Sequence, residues 1–407
     1  MHVLNLSERS KELGLTYEPA LASELLSSIC IFSHMPDFHS FELGGEWFEE
    51  YRTIIPDDLL ETVALLSPNH SIRLWGHLLG LLQETAPPRD VPGFLAQLAA
   101  TSSEELRRHL LGYYQSWNAV PREVMGRAAE GDEAALTTVL ADLFPDTPQR
   151  ERLRARFFPD PVAEPEGTKV AILDTLQRWN EAIFKRLEPE VAPILERDVR
   201  AKRALQRTAS TERMIDTTLN GIEYVPEPGI REVIFFPSYL WRPWVILTDH
   251  LDLKLIIYSV SDESLTINGD EPPTRLIKLY KALGDERRLR TLKKLALADH
   301  SLQELADFLG LAKSTMHHHL TILRSAGLVR VRMSSNGDMH YSLHHSPLHL
   351  SRALPLSQTV GEGCRPQAAG VRANPLTTHD SRLTTTPLST QHSALQTNRN
   401  VIAPSGP

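Results

Sequence analysis

The chain has 407 residues, of which 41% are hydrophobic and 23% charged, and its formal net charge is −8. This length exceeds that of one ordinary domain, and the composition is typical of a soluble globular protein. No segment approaches the ~18 uninterrupted apolar residues that a membrane helix needs. The N-terminal segment soon becomes polar and lacks the apolar core of a signal peptide. We therefore expect a cytoplasmic protein that does not contact a membrane.

The first part of the chain has the apolar periodicity of helices. The segments "PDDLLETVALL", "SIRLWGHLLGLLQ" and "EAALTTVLADLF" repeat apolar residues every three or four positions, so that one stripe of each helix faces a core. Pro and Ser residues precede several of these segments, as is typical of helix starts. This pattern predicts a helical N-terminal domain over residues 1–219.

The character of the sequence changes at residue 220. The segments "REVIFFP", "PWVILTD" and "LKLIIYSV" are short, rich in β-branched and aromatic residues, and bounded by Pro, Gly and Asp. They predict a small antiparallel sheet over residues 220–268, packed on the preceding helices. The whole fold is then mainly α with a small antiparallel β-sheet, an α+β protein. Between two strands, Trp241–Trp244 ("WRPW") forms either part of a ligand pocket or, the interpretation we favour, a turn with aromatic anchors.

Two composition breaks delimit the C-terminal part of the chain. Residues 261–273 are polar and end in Pro-Pro, which predicts a domain boundary. Residues 346–407 are rich in Ser, Thr, Pro, Gln and Asn and poor in aromatic residues, so they cannot bury enough apolar surface to offset the entropy of ordering. We expect a disordered tail over residues 346–407 and a separate folded module over residues 274–345.

Charge is divided unevenly between these parts. Residues 274–345 contain 12 Lys/Arg and 6 Asp/Glu, whereas residues 1–273 contain 26 Lys/Arg and 43 Asp/Glu, a net charge of −17. A basic module attached to an acidic body is the distribution expected when only the module meets nucleic acid.

The module carries the local signals of a helix-turn-helix. Ser301 and Glu304 form a capping box at the start of one short helix, which Gly310 ends. A second helix is predicted from Ala312 to Ala326. Two short helices joined by a glycine-containing turn are the helix-turn-helix arrangement, and the second helix is the one that enters the major groove.

A hairpin completes the module as a winged helix. The segment "LVRVRMSSNGDMHYSL" alternates around Asn336-Gly337, a strong hairpin signal. In "ALGDERRLR", "ELADFLGL", "STMHHHL" and "LRSAGLV" the module resembles the winged helix of ArsR-type transcriptional regulators over about 70 residues. Residues 1–270 resemble an uncharacterised helical-plus-β domain found ahead of some such modules. The resemblance implies major-groove binding by the second helix and dimerisation through Thr274–Leu283.

Helix geometry selects the candidate DNA-binding residues. Met316, Leu320 and Leu323 recur at spacings of four and three, so they face the core of the module. We expect the remaining polar side chains to face DNA: Lys313, Ser314, His317, His318, Thr321, Arg324, Arg330 and Arg332. Lys313, Ser314 and His317 would contact base edges, and those that follow would contact mainly phosphates, Arg330 and Arg332 from the wing. His319, beside the core stripe, is expected to be a hydrogen-bonded structural residue. His317 and His318 would gain charge near pH 6.5, so that DNA affinity rises on acidification.

The three consecutive histidines raise the alternative of a metal site. Consecutive helical residues diverge by about 100°, so the rings of His317–His319 cannot converge on one ion. The resemblance places Ser301 and Gln303 where founding members of the family carry metal-binding cysteines. The two cysteines, Cys30 and Cys364, do not support a disulfide framework or a cysteine metal cluster. We expect neither a metal nor a cofactor.

These observations favour a sequence-specific DNA-binding transcriptional regulator. We expect a dimeric repressor that binds a double-stranded operator, with the N-terminal region as a dimerisation or effector domain for an unknown small molecule. The alternative is a winged helix used as a protein-interaction module in a cytoplasmic assembly. An enzyme is not expected, because the sequence contains no G-x-S-x-G, H-E-x-x-H, P-loop or G-x-G-x-x-G motif.

Overall fold

The computed structural model describes residues 13–33, 41–67, 73–115, 118–160, 163–224, 227–265, 274–333 and 339–344. The predicted disordered tail, the Pro-Pro boundary and the Asn336-Gly337 turn lie outside these ranges. The residues that are described belong to one compact unit. None of their helices is long and apolar enough to cross a membrane.

Most of the N-terminal part consists of helices, as predicted. After a short strand, β1 (Gly14–Tyr17), the helices are α1 (Leu21–Ser33), α2 (Gly45–Arg52), α3 (Asp57–Leu66), α4 (Arg73–Glu84), α5 (Val91–Ala100), α6 (Ser103–Leu110), α7 (Arg122–Glu130), α8 (Glu133–Leu143), α9 (Thr147–Phe157), α10 (Gly167–Trp179), a π-helical turn (Asn180–Phe184), α11 (Lys185–Gln206) and α12 (Thr211–Leu219). Several begin at an N-cap whose side chain accepts a hydrogen bond from the third helical amide, as at Asp90, Ser102, Asp132 and Ser210.

The apolar stripes of these helices form one core with the sheet that follows. The Trp179 indole is fully buried, contacts Phe32 with ring centroids 5.5 Å apart, and donates from Nε1 to Ser28 Oγ at 2.9 Å. Phe32 therefore packs against the apolar ring of Trp179, and Ser28 provides the hydrogen-bond acceptor that its buried N–H needs.

The main sheet contains β1, β3 (Glu232–Ser238), β5 (Leu253–Ser259) and β4 (Ile246–His250), in that order. The sheet is mixed and not antiparallel as predicted, because β1 pairs with β3 and β3 with β5 in parallel. Only β4 and β5 are antiparallel. Both β3 and β5 are buried along nearly their whole length. Continuous apolar strands covered on both faces are typical of parallel pairing.

The C-terminal module is a winged helix, as predicted. It comprises α13 (Thr274–Leu283), α14 (Glu286–Leu295), β6 (His300–Ser301), α15 (Leu302–Leu309), α16 (Lys313–Ser325), β7 (Val329–Met333) and β8 (Met339–Leu343). Ser301 and Glu304 form the predicted capping box, and Gly310 ends α15 in the left-handed conformation. β7 and β8 pair antiparallel as the wing.

The wing sheet includes a strand from the N-terminal body, the name we give to the described residues from 13 to 265. β2 (Ile222–Glu223) runs parallel to β7, with Ile222 opposite Val331, and the sheet order is β2-β7-β8-β6. The amide of Val331 donates to the carbonyl of Gly221 at 2.7 Å. Gly221 has a φ of +87°, and a Cβ at this position would lie 2.7 Å from the Val329 carbonyl oxygen. The close approach of β2 to β7 therefore depends on a glycine.

Candidate nucleic-acid interface

The helix α16 packs against the core of the module through its apolar stripe. Met316, Leu320 and Leu323 are buried, as the helical spacing predicts. Its first turn follows a tight turn in which the amide of Leu311 donates to the carbonyl of Ala306 at 2.9 Å. The first residues of α16, Lys313 to Thr315, are exposed. The backbone amides and the helix dipole at this end favour an anion.

Three of the predicted DNA-binding residues are exposed at this end of α16. They are Lys313, Ser314 and His318, and Thr315, which the sequence analysis did not select, is exposed beside them. We call these four residues the exposed face of α16. Thr321, further along the helix, is half-buried.

His317 does not face outward as the helix geometry predicted. Its ring stacks on the indole of Trp244, with centroids 5.7 Å apart and planes inclined by 21°. Burial, together with the positive charge of Arg324 and His318, lowers the pKa of His317 to about 4. His317 is therefore neutral between pH 6 and 8, and the acidification effect expected from it does not arise in this conformation.

Arg324 is buried against the N-terminal body. Its Nη2 donates to the carbonyl of Pro243 at 2.7 Å, and its guanidinium lies 5.3 Å from the centroid of the Trp244 ring. Only 4% of the residue is exposed. Burial lowers the pKa of Arg324 to about 10, although Tyr341 and Glu42 favour the charged form. In this conformation Arg324 has no route to a phosphate.

The two wing arginines pair with carboxylates of the body. Arg330 Nη2 lies 2.6 Å from Asp216 Oδ1 on α12. Arg332 Nε lies 2.8 Å from Glu223 Oε2 on β2, where the two residues are register partners. Of the eight candidates, the structure thus leaves three exposed on α16, brings four into contact with the body, and leaves Thr321 half-buried between the two groups.

A further charged network joins α13 to the body. Lys278 Nζ lies 2.8 Å from Glu42 Oε2 and 2.7 Å from Asp262 Oδ1. The same two carboxylates accept from Arg242, which is buried in the "WRPW" segment. Trp241 and Trp244 are also buried, which agrees with the prediction of aromatic anchors.

His319 is buried, as its place beside the core stripe predicts, but it is not hydrogen-bonded. Neither ring nitrogen has a hydrogen-bond partner among the described residues. Burial lowers its pKa, which Asp285 opposes. Its role is therefore packing between α14 and α16.

A separate polar cluster lies inside the N-terminal body. Glu84 Oε1 is 3.1 Å from His250 Nε2 and 3.5 Å from His109 Nε2. Burial raises the pKa of Glu84, but hydrogen bonds from the two histidines outweigh this and lower the pKa to about 2. Within the described ranges, no group of three His, Cys, Asp or Glu side chains is arranged to hold a metal ion. The cluster therefore links α4 and α6 to β4.

The residues that contact the candidates carried little sequence signal. Asp216 lies on an ordinary amphipathic helix, and Glu223 lies on a two-residue strand. Pro243 and Trp244 belong to the predicted aromatic turn, but their contacts with α16 join segments about 70 to 80 positions apart, which no local pattern indicates.

Comparison with known proteins agrees with this geometry. The model of the family described as "Bacterial regulatory protein, arsR family" matches residues 285–331, from the start of α14 into β7. Over 65 residues the chain is 35% identical to an uncharacterised HTH-type transcriptional regulator of Methanocaldococcus jannaschii, an alignment that covers 16% of this chain and 73% of that protein. The chain belongs to the arsR family. The family helix-turn-helix points to a DNA-binding transcriptional regulator, and seven of the eight candidate residues lie within the matched range.

Proposed function

We propose that this arsR-family chain is a sequence-specific DNA-binding transcriptional regulator, a dimeric repressor acting in the cytoplasm. The exposed face of α16 is the observation that carries the proposal. It presents a cation, two hydroxyls and an imidazole at the free N-terminal end of the helix that follows the turn. These are the groups that bind base edges and phosphates in the major groove.

The charge of the module supports the same function. Residues 274–345 carry a net charge of +6 on a chain whose total is −8. Several of these cations are exposed on α14, among them Arg287, Arg290 and Lys293. An electrostatic field of this sign concentrates a polyanion at the module and not at the acidic body.

Dimerisation through α13 is supported by its exposed apolar face. Tyr280 is 69% exposed, Leu276 45% and Ile277 39%. Because large apolar side chains grouped on one helix face gain by burial, a second copy of α13 is the occupant that we propose. Two winged helices related by this contact would meet half-sites about one turn, ~34 Å, apart.

An effector role for the N-terminal region is supported by a groove beside the wing. The groove, of about 1200 Å³, is lined by residues of β1, α12 and β2 and by Arg330. A small molecule bound there would contact both the body and the wing. We propose this groove as the place where an effector acts.

The direct test is binding to DNA from upstream of the chain's own gene. We expect sequence-dependent band shifts whose log K falls with log salt by about 0.9 for each phosphate contacted. The double variant Lys313→Ala/Ser314→Ala should weaken binding at least tenfold while circular dichroism stays unchanged. Glu61→Gln/Glu151→Gln, at two exposed positions on the body, is the control. Binding without sequence dependence, or binding indifferent to the α16 variant, would reject the proposal.

One observation favours the alternative function, a protein-interaction module. Arg330 and Arg332 already pair with carboxylates of the body, so the basic side of the module accepts an acidic protein surface. Under this alternative the wild-type protein would capture an acidic protein partner and show no preference among DNA sequences.

A further inference from the structure

Half of the candidate DNA-binding side chains are engaged by the chain's own body. They are His317, Arg324, Arg330 and Arg332. We define the clamp as the body residues that contact them: Asp216, Glu223, Pro243 and Trp244. The clamp acts at two places, on α16 and on the wing.

On α16 the clamp buries a cation. Trp244 is 1% exposed and lies against both His317 and Arg324, and the Pro243 carbonyl accepts from the Arg324 guanidinium. A buried guanidinium is stable only with such partners. Arg324 can therefore meet a phosphate only after α16 moves away from Trp244.

On the wing, the carboxylates of the clamp occupy the position that phosphates of a nucleic acid would take beside the arginines. Asp216 and Glu223 place carboxylate oxygens within 2.8 Å of the two arginines that a wing uses for phosphates. The pairing of β2 with β7 holds these carboxylates in register. Because the side chains of Asp216 and Arg332 are 43% and 58% exposed, the ion pairs are partly hydrated and weak, so a duplex of high charge density can displace them.

We propose that the clamp is an autoinhibitory contact: in the conformation described, the body keeps His317, Arg324 and the two wing arginines from DNA, and release of the clamp raises DNA affinity. This inference rests on the proposed function. In this proposal the acidic body regulates DNA binding, because its carboxylates Asp216 and Glu223 compete with phosphates for the wing arginines. The exposed face of α16 remains free in the clamped state, which permits a first weak encounter with DNA before release.

A reversible cross-link tests the clamp within a single variant, so that the two states compared carry the same charges. Glu223 and Arg332 are register partners on parallel strands, and strands about 4.8 Å apart allow a disulfide between facing positions. The variant Glu223→Cys/Arg332→Cys would be made with Cys364→Ser, which leaves buried Cys30 as the remaining native thiol. We expect the oxidised protein to bind upstream DNA at least tenfold more weakly than the same protein after reduction. The Cys364→Ser protein, treated with the same oxidant and reductant, is the control.

A second experiment releases the wing by removing the carboxylates. Asp216→Asn/Glu223→Gln should bind DNA more tightly than wild type and should steepen the salt slope by up to about 1.8, the contribution of two phosphates. Glu61→Gln/Glu151→Gln alters the net charge equally at exposed positions outside the clamp, so it isolates the local effect. We expect this control to change affinity less than twofold.

The outcomes separate the clamp from the proposed function. Equal affinity in the oxidised and reduced states, with Lys313→Ala/Ser314→Ala still weakening binding at least tenfold, overturns the clamp alone. The body would then be a fixed platform for the exposed face of α16. Failure of every form, wild type included, to bind DNA at low salt overturns the proposed function and the clamp together.

Discussion

At the scale of single residues, the exposure of a polar side chain on α16 depends less on its angle around the helix than on whether the body packs against it. His317 and His318 both lie off the apolar stripe of α16, yet His317 stacks on Trp244 and His318 is exposed. The spacing of about 100° between successive helical residues separates the side chains that face the core from the other side chains of the helix. Those other side chains are exposed only where no second element packs on them. The body packs on one side of α16, and this divides its polar residues into two groups.

The half-buried His317, stacked on Trp244, makes stability depend on pH. Its pKa is about 4 in the folded chain and near 6.5 when unfolded, so the unfolded chain binds more protons between these values. Its stabilising contribution is complete above pH 6.5 and is lost as the pH falls toward 4, by at most about 1.4 kcal/mol per pH unit. We expect His317→Gln to flatten the fall in unfolding free energy, measured with urea between pH 7 and 4.5. Ser314→Ala, which removes no titratable group from the same helix, should leave the slope unchanged; an equal effect of both variants would contradict the assignment.

At the scale of elements, the contact of β2 with β7 depends on backbone conformation. Two glycines with similar positive φ values differ in what surrounds them: Gly221 faces the Val329 carbonyl, whereas nothing lies within 4 Å of a Cβ at Gly229. Alanine at Gly221 and at Gly229 would therefore distinguish two contributions to the free energy of unfolding: the cost of a left-handed backbone, which both share, and the cost of the close approach of β2 to β7, which only Gly221 has.

Gly221→Ala should therefore destabilise the chain more than Gly229→Ala. Both variants lose about 1 kcal/mol from the positive φ, and only the first forces β2 from β7. We expect an additional loss of about 1–2 kcal/mol for Gly221→Ala in urea unfolding. The Val331 amide, which donates to the Gly221 carbonyl, should lose hydrogen-exchange protection in that variant alone. Equal losses for the two variants would indicate that β2 does not approach β7 this closely.

The element α13 provides a test of the proposed dimer. Tyr280→Glu places a charge at the centre of its exposed apolar face, and a buried unpaired charge is costly. We expect the dissociation constant of the dimer, measured by sedimentation velocity, to rise at least tenfold. Lys281→Glu, at the adjacent exposed position, should change it far less. A wild-type chain that sediments as a monomer at every concentration would refute dimerisation.

At the scale of the whole molecule, the winged helix and the body share a sheet and a buried arginine. The sequence predicts a separate module over residues 274–345, and the predicted Pro-Pro boundary lies outside the described residues. The contacts of β2, Trp244 and Glu42 with the module join the two parts. Elements that share buried contacts unfold together when those contacts are strong enough.

We therefore expect coupled unfolding of the two parts. All six tryptophans lie before residue 274, so tryptophan fluorescence reports on the body. Hydrogen exchange of amides in α14 and α16 reports on the module. Against urea, the two signals should give the same midpoint and the same slope. Loss of protection in the module at a clearly lower urea concentration would instead support an independent domain.

The local elements were predictable because their causes lie within a few residues. The capping box of Ser301 and Glu304, the αL end at Gly310 and the apolar stripe of α16 each depend on neighbouring positions. The parallel pairing in the main sheet was missed: the continuous apolar runs of β3 and β5 fit strands covered on both faces, but which strands become neighbours is not a local property. β1 pairs with β3 across more than 200 positions, and no residue of either strand specifies a parallel partner.

The sequence alone thus determined the module: a winged helix of the arsR type, a basic charge on an acidic chain, and the face of α16 that packs inward. Periodicity, caps and composition are local properties, and they remain true in any arrangement of the parts. Only the tertiary structure decided which polar residues of α16 and the wing stay exposed. That outcome depends on where Trp244, Asp216 and Glu223 come to lie, and long-range packing of the body places them there.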